Sequence, residues 1–68
     1  MKVYSNRIKE LRIENKLSQS QLAEKLGTTN STICDWERGR TEPDIEMLKK
    51  LALFFSVSTD YIVGVSDV

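Results

Sequence analysis

Apolar residues recur along this chain in short stripes at helical spacing, separated by polar capping residues and by glycine or proline, a pattern that predicts helices and no strands. Ile8, Leu11 and either Ile13 or Leu17 form the buried side of a first helix, with Ser5 or Asn6 as its cap and a stop near Asn15-Lys16. Ser18 then caps a second helix whose buried side is Leu22, Ala23 and Leu26, and Gly27 ends it. Thr28 or Thr29 caps a third, in which Ile33 and Trp36 share one side, before Gly39 and Pro43 bar continuation. Asp44 caps a fourth, with Ile45, Leu48, Leu51, Ala52 and Phe55 at i, i+3, i+6, i+7 and i+10. Met47, Leu53 and Phe54 lie off that stripe, which points either to a broad buried face or to a partner surface. Ser58 caps a short fifth helix through Tyr61, Ile62 and Val63, closed by Gly64.

The third helix is the most informative, because its two sides differ in kind when residues are set at steps of about 100° around the axis. Opposite Ile33 and Trp36 lie Asn30, Ser31, Cys34, Asp35 and Arg38, an arc of short polar groups rather than the long Lys and Glu of a solvated helix. Short amides and hydroxyls suit base edges: asparagine pairs in bidentate fashion with adenine, and serine donates or accepts. Together with the second helix and the Gly27 turn, this predicts a helix-turn-helix with the third helix in a DNA major groove. Asn30, Ser31, Cys34 and Asp35 are the candidate base contacts, and Gln19, Thr32, Arg38 and Arg40 the candidate backbone contacts. Asp35 is the odd member, since a carboxylate repels phosphate. It is either a selectivity filter facing a cytosine amino group or a partner of Arg38 that never meets DNA. Cys34 raises a redox switch, but no Lys or His flanks it to activate the thiol, and an inert small helix residue is the plainer account.

Gln19, Ala23, Gly27 and Ile33 stand at the spacing of the helix-turn-helix of phage repressors. With Trp36-Glu37-Arg38-Gly39 after them and Pro43 beyond, the chain resembles the Cro/C1-type (XRE) family from Asn6 to Gly64. The resemblance implies a compact all-α, five-helix, lambda-repressor-like DNA-binding domain occupying residues 1–68, with the helix-turn-helix at the second and third helices. It implies further that Gln19 bonds the DNA backbone and touches a neighbouring recognition residue. Arg12 would make a largely buried ion pair with Glu37, tying the first helix to the end of the third and aiming the arginine's remaining donors at a phosphate. The alternative for that pair is two surface charges. Residues 57–62 resemble the closing helix around which many members dimerise, which makes Phe54, Tyr61 and Val65 the candidate dimer interface, with Val65 and Val68 able to extend it.

Composition adjusts this picture in three places. Net charge is zero, which argues against nucleic acid, whose binders are usually basic. The distribution softens that argument: residues 1–43 carry eight Lys/Arg against six Asp/Glu, and residues 44–68 carry two against four. One cysteine and no histidine exclude a disulfide framework and the usual zinc sites, point to the cytoplasm, and leave no nucleophile-base pair for an enzyme. No cofactor, metal or small-molecule effector is expected. No apolar run approaches the ~20 residues needed to cross a bilayer, and the polar start of the chain offers no signal peptide. Sixty-eight residues sustain about 3–5 kcal/mol of net stability, so self-association would help the fold as well as any function. The expected partner is therefore double-stranded DNA, bound by a homodimeric repressor. The alternative is a protein-interaction module, an antitoxin or adaptor, that keeps the fold and uses the apolar surface near Phe54 and Tyr61.

Overall fold

A computed structural model describes residues 2–67, and Val68 lies outside them. Five helices follow one another: α1 (Val3–Glu14), α2 (Gln19–Leu26), α3 (Asn30–Arg38), α4 (Ile45–Phe55) and α5 (Thr59–Val63). Four of the five begin as their capping residues dictate. Ser18 accepts from the Gln21 amide while the Gln21 side chain accepts from the Ser18 amide, a reciprocal box that satisfies two donors at the start of α2. Thr29, Asp44 and Ser58 each accept from the amide three residues on and open α3, α4 and α5.

The first helix departs from expectation. Neither Ser5 nor Asn6 caps it; the helix starts at Val3, Lys2 stands at the cap position without a side-chain bond, and both expected caps lie inside the first turns. The reason is the core. Tyr4 and Ile8 are an i, i+4 pair buried on the same side, so the apolar stripe starts one turn earlier than Ile8 alone suggested. The Tyr4 hydroxyl donates to the Thr41 carbonyl at 2.9 Å and ties this first turn to the loop after α3. Of the two alternatives at the far end of the stripe, Leu17 packs on the core and Ile13 is exposed.

The core is a single cluster drawn from all five helices, with Ile8, Leu22, Ile33, Leu51 and Ile62 fully buried. α2 and α3 pack on each other, α1 spans α3 and α5, and α4 closes the bottom against α5 and α2. Ile45 does not belong to the stripe assigned to it. It is the first helical residue, 73% exposed, and Met47 packs on the core in its place. Leu53 and Phe54 remain off the stripe and face outward.

Two backbone positions close the helices that matter most. Gly27 at φ +73° ends α2, and Gly39 at φ +74° ends α3, both in the left-handed region that side-chain-bearing residues avoid. At Gly39 space is short as well, since a Cβ there would stand 3.3 Å from the Ser5 hydroxyl oxygen. That hydroxyl is buried and has no hydrogen-bond partner among the described residues.

Burial sets a graded expectation for α4. Leu51→Ala removes a fully buried side chain, at a cost of about 2–5 kcal/mol. That loss is comparable with the whole stability of a domain this small, about 3–5 kcal/mol. Urea denaturation followed by circular dichroism should find this variant largely unfolded at 25 °C. Leu53→Ala, at an 81% exposed position, should stay within about 0.5 kcal/mol of the parent.

Candidate nucleic-acid interface

The candidate site is built on a buried electrostatic clamp. Arg12 leaves α1 beside the apolar stripe and donates to Glu37 of α3 through two nitrogens, Nε to Oε2 at 2.6 Å and Nη2 to Oε1 at 3.0 Å. Its Nη1 donates to the Leu17 carbonyl at 2.9 Å, so all three guanidinium nitrogens are engaged. Glu37 is only 5% exposed and the Arg12 side chain 14%. A carboxylate that deep is costly unless paired, and a planar guanidinium meeting both of its oxygens is the geometry that offsets the cost. The surface-charge alternative does not describe this pair.

Gln19 is the third member. From the first turn of α2 its amide nitrogen donates to Glu37 Oε1 at 3.2 Å, which holds the side chain between α2 and α3. One carboxylate thus joins α1, α2 and α3. The two helices of the helix-turn-helix are further packed through Leu22, Ala23, Leu26, Ile33 and Trp36.

On the outer side of α3, Asn30 and Ser31 are exposed in its first turn, while Cys34 and Asp35 are half-buried one turn on. The Thr32 hydroxyl lies 2.9 Å from that of Thr29 and sits beside the cap rather than in the middle of the arc. Arg38 and Arg40 flank the Gly39 turn and are both exposed. The partner of Asp35 is Arg40, at 3.9 Å, and not Arg38. The turn dictates this: Gly39 in the left-handed region reverses the chain so that the Arg40 amide donates to the Asp35 carbonyl at 2.9 Å, bringing Arg40 back over the last turn of α3.

Of the candidate dimer contacts, Tyr61 is half-buried, whereas Phe54 and Val65 are exposed, the latter beside the closing turn. What covers Tyr61 was not visible in the sequence. The Arg7 guanidinium lies 4.1 Å from the Tyr61 ring centroid and donates to the carbonyls of Tyr61 at 2.6 Å and Ser66 at 2.9 Å. Lys50 was also missed. From α4 it donates to the Leu26 carbonyl at 3.3 Å, capping α2 just before the Gly27 turn. Among exposed-looking lysines and arginines in a sequence, nothing distinguishes one that will meet a distant carbonyl.

Comparison with known proteins agrees with this geometry. The family model described as Helix-turn-helix matches residues 8–62, and the chain belongs to this family, in its Cro/C1-type branch. The family comprises DNA-binding transcription regulators and is not enzymatic. The HTH-type transcriptional regulator ImmR of Bacillus subtilis is 39% identical over 62 residues, covering 91% of this chain and 49% of ImmR. The HTH-type transcriptional regulator YobD of the same organism is 38% identical over 65 residues, covering 96% of this chain and 58% of YobD. The chain thus spans about half the length of these curated relatives. Among solved structures, the P22 c2 repressor in complex with a synthetic operator superposes with a TM-score of 0.86 at 33% identity, covering 93% of this chain and 96% of that one. No described helix is long and apolar enough to cross a membrane.

Because Glu37 is buried, removing only its partner should be severe. Arg12→Met leaves an unpaired carboxylate under α3 and should cost about 3–5 kcal/mol by chemical denaturation, whereas Arg12→Met/Glu37→Met, with no charge left to desolvate, should recover most of that loss. Equal destabilisation in the single and double variants would contradict the clamp.

Proposed function

We propose that this chain is a sequence-specific double-stranded DNA-binding domain of a transcriptional repressor, acting in the cytoplasm as a homodimer on an inverted-repeat operator. The observation that carries the reading is the exposed, short-chained polar arc at the start of α3, held rigidly from behind by the Arg12–Glu37–Gln19 clamp and flanked by the Arg38–Gly39–Arg40 turn. Asn30 and Ser31 read base edges, with Cys34 and Asp35 next along the helix. Gln19, Thr32, Arg38 and Arg40 meet phosphates and set the register of the helix in the groove. The likeness to a repressor solved on its operator supports the same docking. Residues 1–68 then constitute one such domain.

Phe54, Tyr61 and Val65 form the proposed contact between two copies. Exposed apolar residues on α4 and beside α5 lie on helices other than the recognition helix, so a two-fold axis there leaves both α3 helices free for DNA. The fold measures 27 × 23 × 22 Å, and two such bodies side by side suit recognition helices about 34 Å apart, one turn of DNA. A protein-interaction module is the competing use of the same apolar residues, and salt separates the two, because a DNA complex weakens steeply as a power of salt concentration whereas an apolar contact does not.

Selection from random duplexes should recover an inverted repeat, and affinity for it should fall by roughly one power of salt per phosphate neutralised. Asn30→Ala should relax preference at one base position of each half-site, at a cost of about 1–3 kcal/mol. Arg38→Ala should instead weaken all sequences alike. No enrichment at low salt would favour the interaction module. For the subunit contact, Phe54→Asp should lower the apparent mass in analytical ultracentrifugation or, if assembly occurs only on DNA, abolish cooperative filling of two half-sites; an unchanged mass and cooperativity would remove Phe54 from the interface.

A further inference from the structure

The two arginines around Gly39 are not equivalent. Among the described residues no ion pair holds Arg38, whereas Arg40 Nη1 faces Asp35 Oδ1 at 3.9 Å, with the two side chains 64% and 38% exposed. The Gly39 turn and the 2.9 Å bond from the Arg40 amide to the Asp35 carbonyl bring the backbone of Arg40 back to that of Asp35 at the end of α3. Asp35 also sits on the arc turned toward DNA, where a carboxylate is the least welcome charge, in a chain whose net charge is zero.

We infer that Asp35 is a positioning residue that acts through Arg40: it holds the guanidinium back from the phosphates, so that the turn delivers one cation unconditionally, Arg38, and one against competition, Arg40. This rests on the DNA-binding reading above. An exposed pair of this kind is weak, so the hold is partial, and a phosphate that comes close enough takes the arginine from the carboxylate. The consequence falls on every sequence alike, because phosphate contacts carry no base information. Asp35 therefore sets how much backbone affinity the domain has to spare, and the salt concentration at which it lets go.

The two other roles open to Asp35 make different demands. A carboxylate that reads a cytosine amino group changes base preference at one position and leaves random DNA indifferent. A carboxylate that merely repels phosphate acts whether or not Arg40 is present. Only a hold on Arg40 requires both residues.

The experiment is a double-mutant cycle with Asp35→Asn and Arg40→Gln, measuring the full chain by fluorescence anisotropy on a random-sequence duplex and on a selected duplex across a salt series, with a melting curve for each variant. Both positions are exposed enough that the melting temperatures should stay close to the parent's. D35N should bind both duplexes about two- to fivefold more tightly per subunit at low salt, the range that an exposed ion pair can withhold. It should also steepen the plot of log affinity against log salt by a fraction of the ~0.9 per subunit that one whole phosphate is worth. In the R40Q background the gain and the change of slope should both disappear. A D35N gain that persists undiminished in R40Q overturns the inference in favour of plain repulsion. A loss confined to the selected duplex overturns it in favour of base reading, and no change on either duplex overturns it outright. If the parent chain itself binds neither duplex at low salt, the DNA-binding reading fails first, and this inference with it.

Discussion

A single buried carboxylate organises this domain. Glu37 sits under the last turn of α3 with one oxygen on Arg12 from α1 and the other shared between Arg12 and Gln19 from α2, so three helices meet at one charge. Apolar packing between short helices leaves some freedom to slide and rotate, because dispersion contacts are individually small and non-directional. A bidentate charge pair has a defined direction, and a buried one cannot be exchanged for water without cost. The clamp therefore converts a generic three-helix contact into one orientation of α3 relative to α2. That orientation decides whether the first-turn residues of α3 point out of the molecule together.

Around that clamp the rest of the chain acts as support. α4 closes the core through Leu51 and reaches back to α2 with Lys50, which satisfies the Leu26 carbonyl next to the turn that joins the two motif helices. α5 is only five residues long and is tied to α1 by Arg7, which stacks on Tyr61 and donates to the carbonyls of Tyr61 and Ser66 near the end of the described chain. These are the staples that a small core needs when its burial alone is marginal.

Much of the fold was legible in the residues because its signals are local. Ser18, Thr29, Asp44 and Ser58 mark helix starts through bonds to amides three residues on, and Gly27, Gly39 and Gly64 mark helix ends. Where the signal depends on the rest of the molecule, it failed. Ser5 is a plausible cap by type, yet Tyr4 packs beside Ile8 and draws the helix start past it. Ile45 fits the period of α4 but lies at the rim, where no opposing layer reaches it. In the candidate site, the faces of α3 followed from periodicity, and Arg12 with Glu37 followed from family resemblance. The partner of Asp35 did not, because helical spacing favours Arg38 while the left-handed turn at Gly39 brings Arg40 back instead.

On the proposed function, the outer arc of α3, aimed by the clamp, is the surface that meets DNA. Backbone amide shifts of isotopically labelled protein titrated with a short duplex at low salt test it most directly. The largest changes should fall in the first turn of α3 at Asn30 and Ser31, at Gln19, and through Arg38 to Arg40, with Glu37 and Leu17 moving little because the clamp stays closed. Changes centred on Leu53 and Phe54 with α3 silent would contradict it.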